Sequence, residues 1–462
     1  MDLRKKVHLI GIGGCGMSAI AKILHQMGYK VAGSDVKESA NTIRLRDLGI
    51  PVFLKHEEAN LRSADLVVVS SAIGRTNTEL IAAKSSNIPI IQRAEMLSWI
   101  MKQSKTSIAV AGTHGKTTTT SMLSLLLEKS GYNPTYLIGG EANDVEGNAR
   151  LGNGRYVVAE ADESDGSFLK LYPKMSVITN IEEDHLDHYG SLKKIFDAFI
   201  DYTKTIPSDG AIVLNLDFPN NVKFYNRIKR TRKVITYGLN KAAGIRGKDA
   251  KFEGNETVFT VERGGKNLGQ VKLGVPGIQN VMNALGVLAV GFELGEDFAT
   301  MSQILRSFAG ARRRFQLIGE YKDIMIVDDY AHHPTEIQYT LSSARGGWPK
   351  RRIIVVFQPH RYSRSHFLKE EFGKCFSDAD MVVATEIYSA GEDPIPGING
   401  EAMSKEILKH HKNVVFIPRK EKISEFLAKE AKPGDIIITA GAGDILNVGK
   451  ELLARLKNLE KK

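Results

Sequence analysis

The sequence predicts a three-domain α/β protein, and three observations carry that prediction. The chain has 462 residues, about three domains of ordinary size. Short apolar strands alternate with helical stretches, which is typical of parallel sheets built from βαβ units. Two glycine-rich turns each follow a predicted strand and precede a predicted helix. We place the domains at residues 1–104, 105–316 and 317–462, with Rossmann-like outer domains and a central mixed-sheet domain of P-loop type.

Composition and charge exclude several classes of protein. The chain carries 63 Lys and Arg against 53 Asp and Glu, a net charge of +10. Because no long basic block accompanies this excess, we expect no nucleic-acid binding. No apolar run approaches the roughly 20 residues that span a bilayer, so we expect no membrane insertion. The two cysteines, Cys15 and Cys375, lack metal-ligand spacing; we interpret both as structural, and the chain as cytoplasmic.

The N-terminal domain begins with a strand rather than a signal peptide. Residues 7–10 form an apolar run too short for the hydrophobic region of a leader, which has about 7–15 residues. A helix is predicted at residues 17–27. Further strands are predicted at residues 30–33, 66–70 and 88–91. The polar stretch 102–107 is the predicted first linker.

A glycine motif follows the first strand. Residues 11–16 read Gly-Ile-Gly-Gly-Cys-Gly and fit the pattern GxGxxG with Gly11, Gly13 and Gly16, and Gly14 is a further glycine of the same candidate site. Glycine lets backbone N–H groups approach a diphosphate closely, and the next helix adds the positive end of its dipole. Asp35 lies about 20 residues on, where an acidic residue commonly accepts a hydrogen bond from a ribose hydroxyl. The alternative is a glycine turn needed only for packing.

The central domain repeats this layout. Strands are predicted at residues 107–111, 156–160, 176–180 and 211–215, and helices at residues 118–129 and 279–294. Residues 231–275 are rich in Gly, Lys, Thr and Val, which favours antiparallel hairpins.

The sharpest motif lies at residues 111–118, Ala-Gly-Thr-His-Gly-Lys-Thr-Thr. A strand, a glycine-rich turn and Gly-Lys-Thr before a helix predict a P-loop. Its amides would bind phosphates, Lys116 would reach the β and γ oxygens, and the Thr117 hydroxyl would ligate Mg²⁺. Val110 stands where the usual first glycine belongs. The ATP-binding residues proposed here are Gly112, Thr113, His114, Gly115, Lys116, Thr117 and Thr118.

Acidic clusters follow two central strands, at residues 160–165 and 182–185. Ligands bind at the carboxyl edge of open α/β sheets, and clustered carboxylates favour a divalent cation. Glu160 and His185 are the candidate functional residues of these clusters. A solvated loop or a helix N-cap is at least an equal alternative for the other acidic residues, Asp162, Glu163, Asp165, Glu182 and Asp184. His188 is expected at the surface.

The C-terminal domain shows the same alternation. Its strands are predicted at residues 324–327, 352–357, 381–385, 414–417 and 435–439. Arg361 and Arg364 are three residues apart, so they would share a face and bind a carboxylate or phosphate. The alternative is a solvated start of a helix. Residues 312–315, Arg-Arg-Arg-Phe, mark the second boundary, either as a cationic hinge that meets ATP phosphates or as a charged linker.

Taken together, five strings resemble the Mur ligases over nearly the whole chain. In chain order they are Gly-Thr-His-Gly-Lys-Thr-Thr-Thr-Thr at 112–120, Glu-Ala-Asp-Glu-Ser-Asp-Gly-Ser-Phe-Leu at 160–169, Asp-Asp-Tyr-Ala-His-His-Pro-Thr-Glu at 328–336, Phe-Gln-Pro-His-Arg-Tyr-Ser-Arg at 357–364 and Gly-Ala-Gly-Asp at 441–444. The second, third and fourth are similar to the members that add the first amino acid.

The resemblance implies an activity and its substrates. ATP would phosphorylate the lactyl carboxylate of UDP-N-acetylmuramate, and the amine of L-alanine would displace phosphate from the acyl phosphate. A ligase that attaches a preformed tripeptide to the same nucleotide is the nearest alternative. A nicotinamide dehydrogenase would leave the P-loop unused, and a nucleic-acid-binding ATPase would need the basic block that is missing.

The resemblance also implies roles for particular residues. Thr117 and Glu160 would hold one Mg²⁺, and Glu160 and His185 a second, with Mn²⁺ as an alternative metal. The catalytic residues would be Lys116, His185, His332, Arg361 and Arg364. Contacts to ATP would add Asn283 and Arg314, contacts to alanine Tyr330, and contacts to the sugar nucleotide His56, Ser70 and Ser71. Gln279 replaces a common histidine, and the chain is expected to be a monomer or a homodimer.

Overall fold

The computed structural model describes residues 5–140 and 147–458. The elements of the N-terminal third are β1 (Lys6–Ile10), α1 (Cys15–Gln26), β2 (Lys30–Ser34), α2 (Ala40–Asp47), β3 (Val52–Phe53), β4 (Leu66–Val69), α3 (Thr78–Ser85), β5 (Ile90–Gln92) and α4 (Arg93–Met101). Those of the central stretch are β6 (Thr106–Ala111), α5 (Lys116–Lys129), β7 (Thr135–Leu137), β8 (Ala149–Arg150), β9 (Tyr156–Glu160), β10 (Met175–Ile178), α6 (Leu186–Tyr189), α7 (Leu192–Thr205), β11 (Ala211–Asn215), α8 (Pro219–Ile228), β12 (Lys233–Gly238), β13 (Ile245–Glu253), β14 (Glu256–Arg263), β15 (Lys266–Leu273), α9 (Ile278–Leu294) and α10 (Phe298–Arg306).

The elements of the C-terminal third are β16 (Gln316–Tyr321), β17 (Ile324–Asp329), α11 (Pro334–Gly347), β18 (Arg352–Phe357), α12 (Tyr362–Phe367), α13 (Lys369–Lys374), β19 (Met381–Ala384), α14 (Gly400–Leu408), β20 (Val414–Phe416), α15 (Ile423–Glu430), β21 (Asp435–Ala440) and α16 (Leu446–Asn458). Short 3₁₀ turns lie at Glu58–Leu61, Ser167–Lys170 and Lys420–Lys422. Among the residues that the structure describes, none of the helices is both long and apolar enough to cross a bilayer.

The chain packs into two compact units. The first comprises Met1–Ile181, Phe196–Ala243 and Gly286–Ile304. It holds a parallel sheet in the order β3-β2-β1-β4-β5 and a second run of strands in the order β12-β11-β10-β6-β9-β7-β8. In the second run β8 alone pairs antiparallel, with β7. Apolar side chains on α1 recur every three or four residues and are buried, so this helix covers a sheet face with one stripe.

The second unit comprises Glu182–Ile195, Gly244–Leu285 and Leu305–Lys462. It contains the antiparallel strands β13, β14 and β15 and a sheet in the order β16-β17-β21-β18-β19-β20. In β18, Ile353, Val355 and Phe357 pack on one face of that sheet, whereas Ile354 and Val356 pack on the other. Helices cover both faces, which explains why the strand reads as a continuous apolar run.

The predicted strands are present, with boundaries within a few residues, and those at 156–160, 211–215 and 352–357 match residue for residue. The antiparallel hairpins predicted for 231–275 are correct for β13 to β15. They are wrong for β12, which pairs parallel to β11 because α8 makes a crossover between the two strands. The sequence reading missed β3, β7, β8 and β16, which are short or lie at an edge of a sheet.

Candidate active site

The P-loop of the first unit joins β6 to α5, and glycine is required at its first turn. Gly112 has φ +126°, and a Cβ there would lie 2.2 Å from Thr179 Oγ1. Asn180, just beyond β10, fixes the loop, because its backbone and side-chain oxygens accept hydrogen bonds from the amides of Thr113 (3.1 Å) and His114 (2.8 Å). Gly115 has φ +81° and begins the turn into α5, whose Thr118 is buried.

Lys116 is the first residue of α5 and its ammonium group is held on three sides. It donates to the carbonyl oxygens of Gly112 (2.6 Å) and Thr113 (3.2 Å) and to Glu163 Oε1 (2.8 Å). Burial alone would lower the pKa of Lys116, but the charge of Glu163, with help from other nearby carboxylates, raises that pKa above its usual range. The lysine is therefore charged at neutral pH, as phosphate binding requires.

For Glu163, the structure does not support the alternative of a solvated loop residue or a helix N-cap. Its side chain is only 3% exposed and pairs with Lys116, so it is neither a solvated loop residue nor a simple cap. A charge buried to this degree is tolerated only with a partner. Glu163 is thus part of the P-loop arrangement that sequence reasoning did not identify.

Glu160 ends β9 beside Thr117. The Thr117 hydroxyl donates to Glu160 Oε2 (3.3 Å), and the Gly139 amide donates to Oε1 (2.6 Å). A hydroxyl and a carboxylate are hard oxygen donors that suit Mg²⁺, which usually keeps waters and substrate phosphates as its other ligands. Within residues 5–140 and 147–458 no group of three or more His, Cys, Asp or Glu could form an all-protein metal site. The donor set therefore fits a metal that arrives with a nucleotide.

The glycine loop between β1 and α1 is closed by Asp35. Asp35 Oδ2 accepts a hydrogen bond from the Gly13 amide (2.9 Å), and Asn41 Nδ2 donates to the Gly13 carbonyl (2.9 Å). Gly11 has φ +80°, and a Cβ there would press against Ser70 at 3.2 Å. Asp35 thus shapes the loop, and its expected contact with ribose stays a prediction.

His56 lies beside the end of β2 in a buried polar cluster. Its Nδ1 is 2.9 Å from Ser34 Oγ and 3.2 Å from Glu79 Oε2. Glu79 also accepts from Asn60 (2.6 Å) and lies against His8. Burial alone would raise the pKa of Glu79, but its contacts with His8, Ser34 and Asn60 lower that pKa to about 2. The carboxylate is therefore ionised and orients the imidazole of His56.

Both glycine loops open onto one cavity of about 350 Å³ in the first unit. The sugar-nucleotide side contributes Gly14, Gly16, Ser70 and Ser71, and the P-loop side contributes Lys116, Glu160 and Asp162. Two phosphate-binding motifs that lie about 100 residues apart in the sequence therefore converge. A reaction between two phosphate-bearing molecules needs this arrangement, because it brings their reacting ends together.

Arg93 was not selected from the sequence, yet it lines the same cavity. It is the first residue of α4, and its Nη2 donates to Asp162 Oδ2 (3.2 Å) and to Ser167 Oγ (3.3 Å). Burial alone would raise the pKa of Asp162, but the charges of Lys116 and Arg93 lower it. Three carboxylates at the end of β9 and in the loop after it thus have separate partners: Thr117 for Glu160, Arg93 for Asp162 and Lys116 for Glu163.

In the second unit, Arg364 binds a carboxylate with two donors on one edge of its guanidinium group. Its Nε and Nη2 donate to Asp184 Oδ1 (3.1 Å) and Oδ2 (3.3 Å), and both side chains are buried. Burial alone would raise the pKa of Asp184, but the Arg364 charge and nearby imidazoles hold it well below its usual range. Asp184 also touches His185, whose Nε2 lies 3.5 Å from Oδ2. Asp184 is therefore an orienting residue, not a solvated one.

Arg361 precedes α12 in a strained backbone conformation. Its φ is +69°, a backbone angle that residues other than glycine rarely adopt. Its amide donates a hydrogen bond to the Tyr388 carbonyl (2.8 Å). Its guanidinium lies 3.7 Å from carboxylate oxygens of both Asp187 and Glu392, and it shares a small cleft with Arg364 and His185. The two arginines thus line one cleft, in agreement with the shared face that was predicted. His188 is exposed, as predicted.

Tyr330, His332 and Arg314 form a second group in this unit, organised by Glu336. Glu336 accepts from Arg314 Nη1 (3.1 Å) and from the His332 amide (3.1 Å). The Nδ1 of His332 lies 2.8 Å from the Tyr330 carbonyl, so it carries the proton, and burial lowers the pKa of His332 to about 3. Residues 312–315 are therefore anchored rather than a free linker, since Arg313 also pairs with buried Asp328 (2.9 Å).

The remaining predicted nucleotide contact, Asn283, is buried in the second unit, where its Nδ2 donates to Asn280 Oδ1 (3.3 Å). Gln279, at the position where a histidine is common, donates to Ser343 Oγ on α11 (3.0 Å). Glu160 and His185, expected to share a metal, belong to different units. The roles predicted for these residues stay predictions.

The fold and the first-unit cavity define a class: an α/β nucleotide-binding protein with a P-loop and a second glycine-rich loop. The chain belongs to the Mur ligase family. Family models match it at residues 6–105 (Mur ligase family, catalytic domain), 110–291 (Mur ligase middle domain) and 313–443 (Mur ligase, glutamate ligase domain). The fold class predicted from the sequence is confirmed.

Within this family, the chain is most usefully compared with individual relatives. The chain is 47% identical to a UDP-N-acetylmuramate–L-alanine ligase of Geotalea daltonii, with 98% of each covered. It is equally identical to one of Pelotomaculum thermopropionicum, with 100% of each covered. A solved UDP-N-acetylmuramate-alanine ligase from Thermotoga maritima is 32% identical with a TM-score of 0.85, covering 99% of this chain and 100% of that one. A murein peptide ligase from Psychrobacter arcticus is more distant, at 25% identity and a TM-score of 0.71 over 98% and 99%.

Proposed function

We propose that the protein joins L-alanine to the lactyl carboxylate of UDP-N-acetylmuramate at the expense of ATP, in the synthesis of peptidoglycan precursors. The observation that carries this proposal is the single cavity lined by both Gly14–Gly16 and Lys116. It suits a reaction in which the end of a sugar nucleotide meets a triphosphate. The relatives described above favour this activity over tripeptide recycling.

The chemistry requires an activated acid, because a carboxylate is a poor acyl donor. A lactyl carboxylate oxygen attacks the γ-phosphorus and ADP departs, which leaves an acyl phosphate. The amine of L-alanine then attacks the acyl carbon, phosphate departs and the amine loses a proton. Two anions must meet in the first step, and Lys116 supplies a fixed positive charge where they do.

A divalent metal fits the first-unit site. Thr117 and Glu160 would hold Mg²⁺, with Mn²⁺ as an alternative, and His185 is proposed as a further metal ligand. When bound, the metal neutralises phosphate charge and brings the triphosphate and the carboxylate together. Glu160 is prepared for this role because the Gly139 amide and the Thr117 hydroxyl fix both of its oxygens.

The second unit carries the residues proposed for the amino acid. Arg361 and Arg364 offer guanidinium groups for the alanine carboxylate or the acyl phosphate. Neutral His332, with its proton on Nδ1, leaves Nε2 as a hydrogen-bond acceptor for the amino group of alanine. Tyr330 packs edge-on against this imidazole, with ring centres 5.3 Å apart. Arg314 and Asn283 are proposed to contact ATP.

The substrates support a cytoplasmic location, where ATP and UDP-sugars are made, with the chain acting as a monomer or a homodimer. The test is coupled ADP and phosphate release with UDP-N-acetylmuramate and a panel of amino acids, alongside L-alanyl-γ-D-glutamyl tripeptide. We expect turnover with L-alanine and a new peptide-linked nucleotide. Turnover with the tripeptide alone would overturn the choice of substrate, and no turnover with any acceptor would overturn the proposal.

A further inference from the structure

Arg93 occupies a position that links the two phosphate-binding loops. Strand β5 ends at Gln92, and α4 begins at Arg93, so the side chain lies at the carboxyl edge of the N-terminal sheet. The neighbouring strand β4 ends at this edge just before Ser70 and Ser71, which line the same cavity as Arg93. Ligands of open α/β sheets bind at this edge.

The guanidinium group packs directly against the glycine loop. A Cβ added at Gly16 would lie 3.2 Å from Arg93 Nη1 and 3.3 Å from its Cδ. The opposite nitrogen, Nη2, is held by Asp162 and Ser167 on the central domain side. Asp162 therefore fixes one edge of the guanidinium while Nη1 stays beside the loop that is built for a diphosphate.

The charges that line the cavity also favour an anionic ligand at Arg93. Of the described residues that line it, two are cations, Arg93 and Lys116, and Lys116 is engaged by Glu163 and the P-loop carbonyl groups. Residues 11–16 contain no cationic side chain. A sugar nucleotide with a diphosphate and a lactyl carboxylate carries several negative charges into this space. Arg93, with a side chain 17% exposed, is the cation positioned to meet them.

We infer that Arg93 binds anionic oxygens of the sugar nucleotide, either the diphosphate or the lactyl carboxylate, while Asp162 and Ser167 hold its other edge. The inference rests on the proposed function, since it names a contact within the same site. Because the planar guanidinium is anchored on one side, its remaining donors are preorganised for a second, ionic partner. Arg93 would then bring the sugar nucleotide up to the acidic loop beside the P-loop.

The test measures binding by titration calorimetry with two nucleotides. UDP-N-acetylglucosamine has the diphosphate and lacks the lactyl carboxylate, whereas UDP-N-acetylmuramate has both. We expect Arg93→Ala to weaken the binding of UDP-N-acetylmuramate about 10- to 100-fold, the range of a charge-assisted hydrogen bond. Equal loss for both nucleotides identifies the diphosphate as the partner, and loss restricted to UDP-N-acetylmuramate identifies the carboxylate. Arg93→Lys should recover part of the loss.

Arg150→Ala is the matched control. Arg150 also belongs to the first unit, pairs with Glu128 (2.8 Å) and has a similarly exposed side chain, 20%, but does not line the cavity. If Arg93 only bridged α4 to the acidic loop, its removal would lower the melting temperature and weaken a non-hydrolysable ATP analogue and UDP nucleotides alike. That result, or unchanged UDP-nucleotide binding in Arg93→Ala, would overturn the inference. Failure of the unaltered protein to bind any UDP-sugar would instead overturn the proposed function.

Discussion

The two glycine loops of the first unit share a design but treat charge in different ways. Each follows a buried parallel strand, precedes a helix and opens onto one cavity. The loop before α5 contains its own cation, Lys116, paired with a buried carboxylate. The loop before α1 contains none, and its nearest carboxylate, Asp35, is bonded to the Gly13 amide.

This difference separates a loop that takes part in chemistry from one that holds a ligand. Phosphoryl transfer needs positive charge fixed where negative charge develops, so the P-loop carries a lysine with a defined partner. Binding a diphosphate needs only amides, a helix N-terminus and a cation from elsewhere. The comparison predicts that substitutions in the loop before α5 change the rate of the reaction. Substitutions around the loop before α1 should change ligand binding or folding.

The largest expected effect comes from Lys116→Met. It removes the charge that neutralises the triphosphate, so kcat should fall at least about 1,000-fold, while the affinity for UDP-N-acetylmuramate stays within about twofold. Steady-state kinetics and titration calorimetry measure the two quantities. The single variant leaves Glu163 buried without its partner, so Lys116→Met with Glu163→Gln is the control for folding. A folded double variant that still turns over ATP would contradict the role of the lysine.

Glu79→Gln tests whether the buried charge beside Ser34, at the end of β2, serves folding. Its pKa of about 2 lies below the ordinary 4.5, a difference worth about 3 kcal/mol of stability in a fully buried group. That contribution is present above about pH 4.5 and is lost as the pH falls towards 2. Thermal melts should show the variant less stable than the unaltered protein at pH 7. This difference in stability should shrink below pH 4.5. A difference in stability that does not change with pH would show that the charge of Glu79 does not stabilise the fold.

Glu163→Gln keeps a hydrogen-bond acceptor for Lys116 and removes the charge. Because the carboxylate holds the ammonium group in register with the P-loop carbonyl groups, kcat/KM for ATP should fall about 10- to 30-fold, the cost of one charge-assisted hydrogen bond. The KM for UDP-N-acetylmuramate should not change. An equal rise in both KM values would mean that Glu163 acts through the shape of the cavity.

Asp35→Asn should have the smallest effect. The amide oxygen can still accept from Gly13, so the loop is retained with a weaker bond, and UDP-sugar affinity should fall about three- to tenfold with kcat unchanged. Asp35→Ala, which removes the acceptor, is the comparison variant and should lose more. If kcat fell in either variant, the separation between a binding loop and a reacting loop would fail.

The motifs were readable from the sequence because they are local. Lys116, Thr117 and the glycines before them are set by strand, turn and helix signals within ten residues, and buried parallel strands such as β9 and β18 are plain apolar runs. Strand β16 was missed because it is an antiparallel edge strand with a half-exposed, mixed sequence.

The partners of the site residues were not readable, because folding alone brings them together. Glu163 lies 47 residues from Lys116, Arg93 lies 69 from Asp162, and Arg364 lies 180 from Asp184. In one dimension, each of these looks like an ordinary charged residue of a loop or helix end. Their burial and pairing are tertiary facts, and sequence spacing carries no signal for them.

The shared cavity has a consequence for inhibition. Its lining includes both Gly16 of one phosphate-binding loop and Lys116 of the other. A compact dianion reaching from Gly16 to Lys116 would block both nucleotides at once. Escape by mutation would be difficult at the P-loop end, because Gly112 has no room for any side chain.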